Sequence, residues 1–172
     1  MNSKISTIVT TAVVLAIPPP AAATLRQETG AFTPAGICQL SLPTTNTGAR
    51  PRATGYRNEG STNIFVICSP FVPNYAGLRS VSLYFLSLDG APHSVTCTAA
   101  SGYVGISGGI VYSAQTMVAD STTSAKGLAW DAADFGASEY IPGAGHFSVT
   151  CSLPSQASIG NGYMYYDFDV GQ

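Results

Sequence analysis

The sequence predicts an all-β protein, an antiparallel β-sandwich of jelly-roll or immunoglobulin-like topology with about 8–9 strands and two disulfides. Three observations predict it. Apolar and polar residues alternate over short runs bounded by Gly, Pro, Asn and Asp, and no segment sustains a helical apolar period. One cysteine-bearing strand plan occurs twice along the chain. Four cysteines follow a leader that marks the chain for an oxidising compartment.

Residues 1–23 read as a cleaved secretory signal peptide. Lys4 supplies the positive start, Ile5 to Ile17 is an apolar run of 13 residues, and Ala21-Ala22-Ala23 fits an A-x-A cleavage site. The run is short against the roughly 20 apolar residues of a membrane span. Pro18-Pro19-Pro20 would break such a helix. The mature chain is expected to begin near Thr24, to be secreted or periplasmic, and to carry no membrane anchor. Residues 24–172 are then one β-sandwich domain, long enough to bury a core.

Only 9% of the chain is charged, far below the roughly 25% of an ordinary soluble domain. Surface polarity must come from Ser, Thr, Asn and Gly. Without Lys4 the chain has six basic and nine acidic residues. That balance argues against nucleic acid, which calls for a basic face. Charge is uneven: residues 24–79 carry five Arg and two Glu, residues 80–172 one Lys and seven acids. Unlike ends of one domain explain this, or a contact between molecules.

In chain order, residues 24–36 read as an exposed arm. Cys38, Leu40 and Leu42 alternate as a short strand, and residues 43–61 as a polar loop with Arg50, Arg52 and Arg57. Strands follow near 62–68 and 80–88, with a Pro-bearing loop between them and an Asp89-Gly90 turn after them. Val95, Cys97 and Ala99 alternate. A Gly-rich run after Gly102 reads as two short strands around Ser107-Gly108-Gly109. Residues 119–125 are a Ser/Thr loop, Lys126 to Trp130 a strand, and 131–145 a loop. The closing stretch, His146 to Gln172, repeats the plan of residues 62–88. Phe147, Val149, Cys151 and Leu153 alternate, a Pro-bearing loop follows, and Met164, Tyr166, Phe168 and Val170 form one row of a last strand. Cys68 to Val81 spans 13 residues, as does Cys151 to Met164.

The cysteines are spaced 30, 29 and 54 residues apart, unlike the close pairs of a zinc site. Cys68 and Cys151 hold equivalent places in the repeat and should have equivalent partners. The pairs expected are Cys38–Cys68 and Cys97–Cys151. The pieces CQL (38–40), FVICSPFVP (65–73), SVSLYF (80–85), HSVTC (93–97) and FSVTCSLP (147–154) resemble small exported bacterial four-cysteine β-sandwich proteins to which no activity is assigned. The resemblance implies export and a sandwich fold, and it transfers no catalytic residue.

Gly105-Ile106-Ser107-Gly108-Gly109 fits the G-x-S-x-G nucleophile elbow, and Asp131 or Asp134 and then His146 follow in hydrolase order. The elbow needs a helix after the serine. The run IVYSAQTMV is β-branched and aromatic, which favours a strand and a glycine turn instead. A small secreted serine hydrolase is therefore the alternative reading. His93 and His146 are the only histidines; His146 is read as a solvated or cross-strand residue on the polar face of its strand, and Trp130 as core. Asp167 and Asp169, or Asp131, Asp134 and Glu139, would bind calcium only with added loop carbonyls; no metal or other cofactor is expected.

Tyr163, Tyr165, Asp167 and Asp169 form the second row of the last strand and should face outward if Met164, Tyr166 and Phe168 are core. Exposed aromatic rings beside carboxylates suit the C–H faces and hydroxyls of a sugar, and tyrosine also suits a protein contact. The function expected is an exported, non-catalytic binding or structural module for carbohydrate, a surface or another extracellular protein. An extracellular matrix or surface subunit acting through protein contacts is a further alternative.

Overall fold

A computed structural model describes residues 24–42, 48–71, 77–103, 105 and 109–170. The proposed signal segment and Ser107 lie outside the described residues. Eleven strands among them form two antiparallel sheets. They are β1 (Leu25–Phe32), β2 (Cys38–Leu40), β3 (Ala49–Arg52), β4 (Gly55–Asn58), β5 (Ile64–Cys68), β6 (Gly77–Ser87), β7 (His93–Gly102), β8 (Ile110–Ala119), β9 (Lys126–Asp131), β10 (Phe147–Leu153) and β11 (Ala157–Asp169). The first sheet runs β3-β4-β11-β6-β9, with β1 also paired to β11. The second runs β2-β5-β10-β7-β8.

Alternation decides what each sheet buries. Val66, Cys68, Val95, Cys97, Val149 and Cys151 point inward from the second sheet and meet Leu78, Val81, Leu83, Phe85, Leu128 and Trp130 of the first in one core. Trp130 is fully buried, as expected, and its indole Nε1 donates to the Ser113 carbonyl at 3.2 Å. Buried Asn58 closes β4. Its amide nitrogen donates to the Thr62 and Leu153 carbonyls, and its Oδ1 accepts from Gly60 N. A buried polar group needs such partners to avoid a desolvation penalty.

The duplicated plan is a structural repeat. β5 pairs with its equivalent β10 in the second sheet, and β6 with its equivalent β11 in the first. Corresponding residues face each other at the centre of both pairs: Ile67 opposes Thr150, and Val81 opposes Met164. Around those centres partners exchange, Val66 with Cys151 and Cys68 with Val149. The two halves are thus related by an approximate two-fold axis through the sandwich. The disulfides obey it. Cys38–Cys68 joins β2 to β5 and Cys97–Cys151 joins β7 to β10, each between directly opposed residues with Cα atoms 4.0 Å apart. Among the described residues no cysteine is free.

Four expectations need correction. Residues 24–36 are not an exposed arm. Leu25–Phe32 is a strand paired along β11, and Pro34–Ile37 is a single helical turn. Residues 49–58, expected as loop, form the β3–β4 hairpin, whose turn needs Gly55 at φ 129° with no room for a Cβ against the Ile159 carbonyl. The Gly-rich run holds one hairpin of two long strands, β7 and β8, with Gly105 and Gly109 at positive φ between them.

Phe168 is the fourth. It is 39% exposed rather than core, and Val170 is exposed too. The last pair between β11 and β6 is Asp167 with Gly77, and among the described residues Phe168 is paired only with Arg26 of β1. The apolar row outruns the core it was read as facing. Met164 is buried and Tyr166 packs against the core, as expected.

Candidate functional site

β11 sits between β1 and β6, so its outward row looks onto a three-strand floor. Tyr165 faces Thr29 on one side and Ser80 on the other. Tyr163 and Tyr165 point away from the core. Tyr163 is half-buried because its ring meets Tyr84 edge-on, with centroids 5.8 Å apart. Tyr165 is exposed and lines a cleft of about 380 Å³ with Gln27, Arg79, Ser138, Glu139 and Asp131.

Asp167 departs from expectation. It is only 4% exposed, although it lies on the outward row. A register shift between Tyr165 and Tyr166 skips Arg79, an extra residue on β6, and swings its guanidinium over β11. Arg79 Nε and Nη2 donate to the two Asp167 oxygens at 2.9 and 2.6 Å. Tyr140 of the β9–β10 connection donates its hydroxyl to Oδ2 at 2.8 Å, and its ring lies 5.2 Å from the Arg79 guanidinium. The Arg79 and Tyr140 hydrogen bonds hold the Asp167 carboxyl below the usual carboxylate range. The same bond to Asp167 pushes the Tyr140 phenol up to about 12. Glu139 approaches Arg79 at 3.7 Å. Both Asp167 oxygens are therefore already engaged by Arg79 and Tyr140. Asp169 is exposed beyond it, opposite Leu25. The Arg-rich and acid-rich halves of the chain meet inside one molecule at this ion pair.

The run around Ser107 does not have the setting of a nucleophile elbow. The glycine run joins antiparallel β7 to β8, so a strand follows it and not the helix an elbow needs. Asp134 accepts from Gln115 Nε2 and from Asp131 N, and Asp131 Oδ1 accepts from Ala133 N. His146 closes a 3-10 turn, Ala144–His146, against Tyr103 at 4.7 Å between ring centroids. His93 contacts Asp89 at 2.8 Å, and that contact is the first cause of an Asp89 carboxyl lowered to about 2. Among the described residues no group of His, Cys, Asp or Glu could hold a metal ion, and no helix is long and apolar enough to cross a membrane.

Reasoning from sequence missed Arg79 and Tyr140, which come from a bulge and a loop that carry no motif. It also missed the outward face of the second sheet. Phe65 on β5 opposes Ser152 of β10, which opposes Thr96 of β7, which opposes Thr116 of β8. The next row is Ile67, Thr150, Thr98 and Ala114, and the next Ser148, Ala100 and Tyr112. The signal was present as outward hydroxyls in β7, β8 and β10.

No family model matches the chain, and no curated protein does. Solved structures with related backbones include the family 11 carbohydrate-binding module from Clostridium thermocellum in complex with a beta-1,3-1,4-mixed-linked tetrasaccharide, at 14% identity and a TM-score of 0.37 over 83% of this chain and 88% of that one. TmCBM61 in complex with beta-1,4-galactotriose follows at 11% identity and 0.39, over 84% and 88%. The xylan-binding module CBM15 follows at 9% and 0.40, over 84% and 97%. Likenesses this weak carry no argument about a ligand for this chain.

Proposed function

We propose that the protein is an exported, non-catalytic carbohydrate-binding module whose ligand enters the cleft at Tyr165. The observation that carries this is an exposed tyrosine ring on a rigid sheet, walled by Asp131, Glu139, Ser138 and Gln27. The ring offers a stacking face for sugar C–H groups, and the walls supply acceptors and donors for hydroxyls. Tyr163 lies two residues before Tyr165 on the same strand, and Asp167 fixes Arg79 and Tyr140 beside the cleft. Export is part of the proposal: two disulfides suit an oxidising compartment, and residues 1–23 have the pattern of a signal peptide.

A glycan array probed with the mature protein, residues 24–172, tests this reading. A specific hit that disappears in Tyr165→Ala is expected. A blank array, or hits indifferent to Tyr165→Ala, would sink the cleft as a sugar site. A fluorophosphonate probe addresses the hydrolase alternative. No labelling is expected, and labelling abolished by Ser107→Ala would revive it.

A further inference from the structure

Charge is partitioned between the sheets. Each strand of the first sheet contains at least one Lys, Arg, Asp or Glu, whereas β2, β5, β7, β8 and β10 contain none. A sheet face exposed to water usually carries charge, which keeps it solvated and deters non-specific association. Here serine and threonine hydroxyls replace it, and Thr96 and Thr116 hydrogen-bond across strands at 2.9 Å.

The face is shaped as well as uncharged. A trough of about 670 Å³ lies beside Tyr112, Phe71, His146 and Ser148, and a second of about 300 Å³ lies beside Phe65, Thr96 and Ser152. They share Ala100 and Tyr112, and so lie end to end along β10 and β7. Small Ala100 makes the floor. Large exposed rings flank it: Phe65 is 53% exposed, Tyr112 64% and Phe71 78%. From Ser152 to His146 the two together extend about 20 Å at roughly 3.3 Å per strand residue.

We infer that the outward face of the second sheet is a second binding surface, which takes an extended, uncharged polysaccharide chain. A charged polymer would find no counter-charge there. An apolar protein surface would cover the Ser and Thr hydroxyls without partners, at a desolvation cost. A neutral glycan presents both hydroxyls for those side chains and C–H faces for the rings. The face lies on the opposite side of the sandwich from the Tyr165 cleft and does not depend on it.

Affinity electrophoresis tests it, with the mature protein run in native gels containing hydroxyethylcellulose, glucomannan or dextran, and alginate or chitosan as charged counterparts. The expected result is retardation by at least one neutral polysaccharide, little changed by salt because no charges pair. Phe65→Ala or Tyr112→Ala should weaken it roughly tenfold, as loss of one stacked ring would. Thr96→Lys, which puts a charge onto the face, should weaken it too, while Tyr165→Ala should leave it intact. These positions are exposed, and unchanged melting temperatures would show that the variants fold. The inference is overturned if no neutral polysaccharide retards the protein, if alginate or chitosan retards it more strongly, or if binding survives the Phe65, Tyr112 and Thr96 substitutions. Binding lost only in Tyr165→Ala would likewise overturn it, and would assign all recognition to the cleft.

Discussion

Asp167 is the residue on which the outer face of the first sheet turns. Its carboxyl accepts two bonds from Arg79 and one from Tyr140 while nearly out of contact with water. Because its folded pKa lies below the unfolded value, its contribution to stability is fully present above the ordinary carboxylate range and is lost as pH falls through the folded pKa. Tyr140 has the opposite sign: its raised pKa favours the protonated folded form, a contribution lost only as pH rises through about 12. Asp167→Asn should therefore lower the melting temperature at pH 7, and the gap from wild type should narrow as acid protonates the wild-type carboxyl. Melts across that range check this; a gap independent of pH would mean that packing, not the ion pair, holds the site. Phe168 and Phe85 provide a second comparison. Phe85→Ala should cost roughly 3–5 kcal/mol because the ring is fully buried. Phe168→Ala should cost much less, since its ring is partly exposed. Denaturant titrations of the two variants decide it. Period-2 alternation read Met164 and Tyr165 correctly, but it contains no information about where a neighbouring strand stops.

Strands with one apolar and one polar row were legible, because burial on one side imposes the pattern. β6, β9 and β10 were found near their observed bounds for that reason, and β5 as a short apolar run. β1 and the β3–β4 hairpin were not. β1 is mostly exposed, and β3 carries Arg50, Pro51 and Arg52 on a sheet edge, where proline is tolerated and side chains need not alternate. The outward face of the second sheet was overlooked for a related reason. Its Ser and Thr rows look like ordinary solvated backs of strands until pairing sets those of β10, β7 and β8 side by side. The disulfide pairing was legible because the repeat constrained it. Each bridge should contribute roughly 4 kcal/mol by closing its loop in the unfolded chain. Cys97→Ala with Cys151→Ala should lower stability by about that much, and Cys38→Ala with Cys68→Ala by slightly less, its loop being 30 rather than 54 residues. Chemical denaturation measures both, and a negligible loss in either pair would refute the unfolded-state account for that bridge.

The repeat also settles how the molecule must come apart. In each sheet the central partner of a strand is its counterpart from the other half: β5 lies against β10, and β6 against β11. β4 of the first half pairs with β11 of the second, and β9 of the second with β6 of the first. Neither half keeps an intact sheet or an enclosed core without the other. The chain should accordingly unfold in one cooperative transition, although its sequence is internally duplicated and each half carries its own disulfide. Trp130 gives a convenient local probe, because it is the only tryptophan and is fully buried between the sheets. Its fluorescence should change at the same denaturant midpoint as the far-ultraviolet circular dichroism of the strands. Separated midpoints would mean that the halves melt independently. A fragment ending in the β6–β7 turn near Gly90 should remain unfolded alone, since it would leave β4 and β6 without β11 and β9. A folded fragment would show that the repeat unit is self-sufficient and that the exchange of strands between halves is not what stabilises the sandwich.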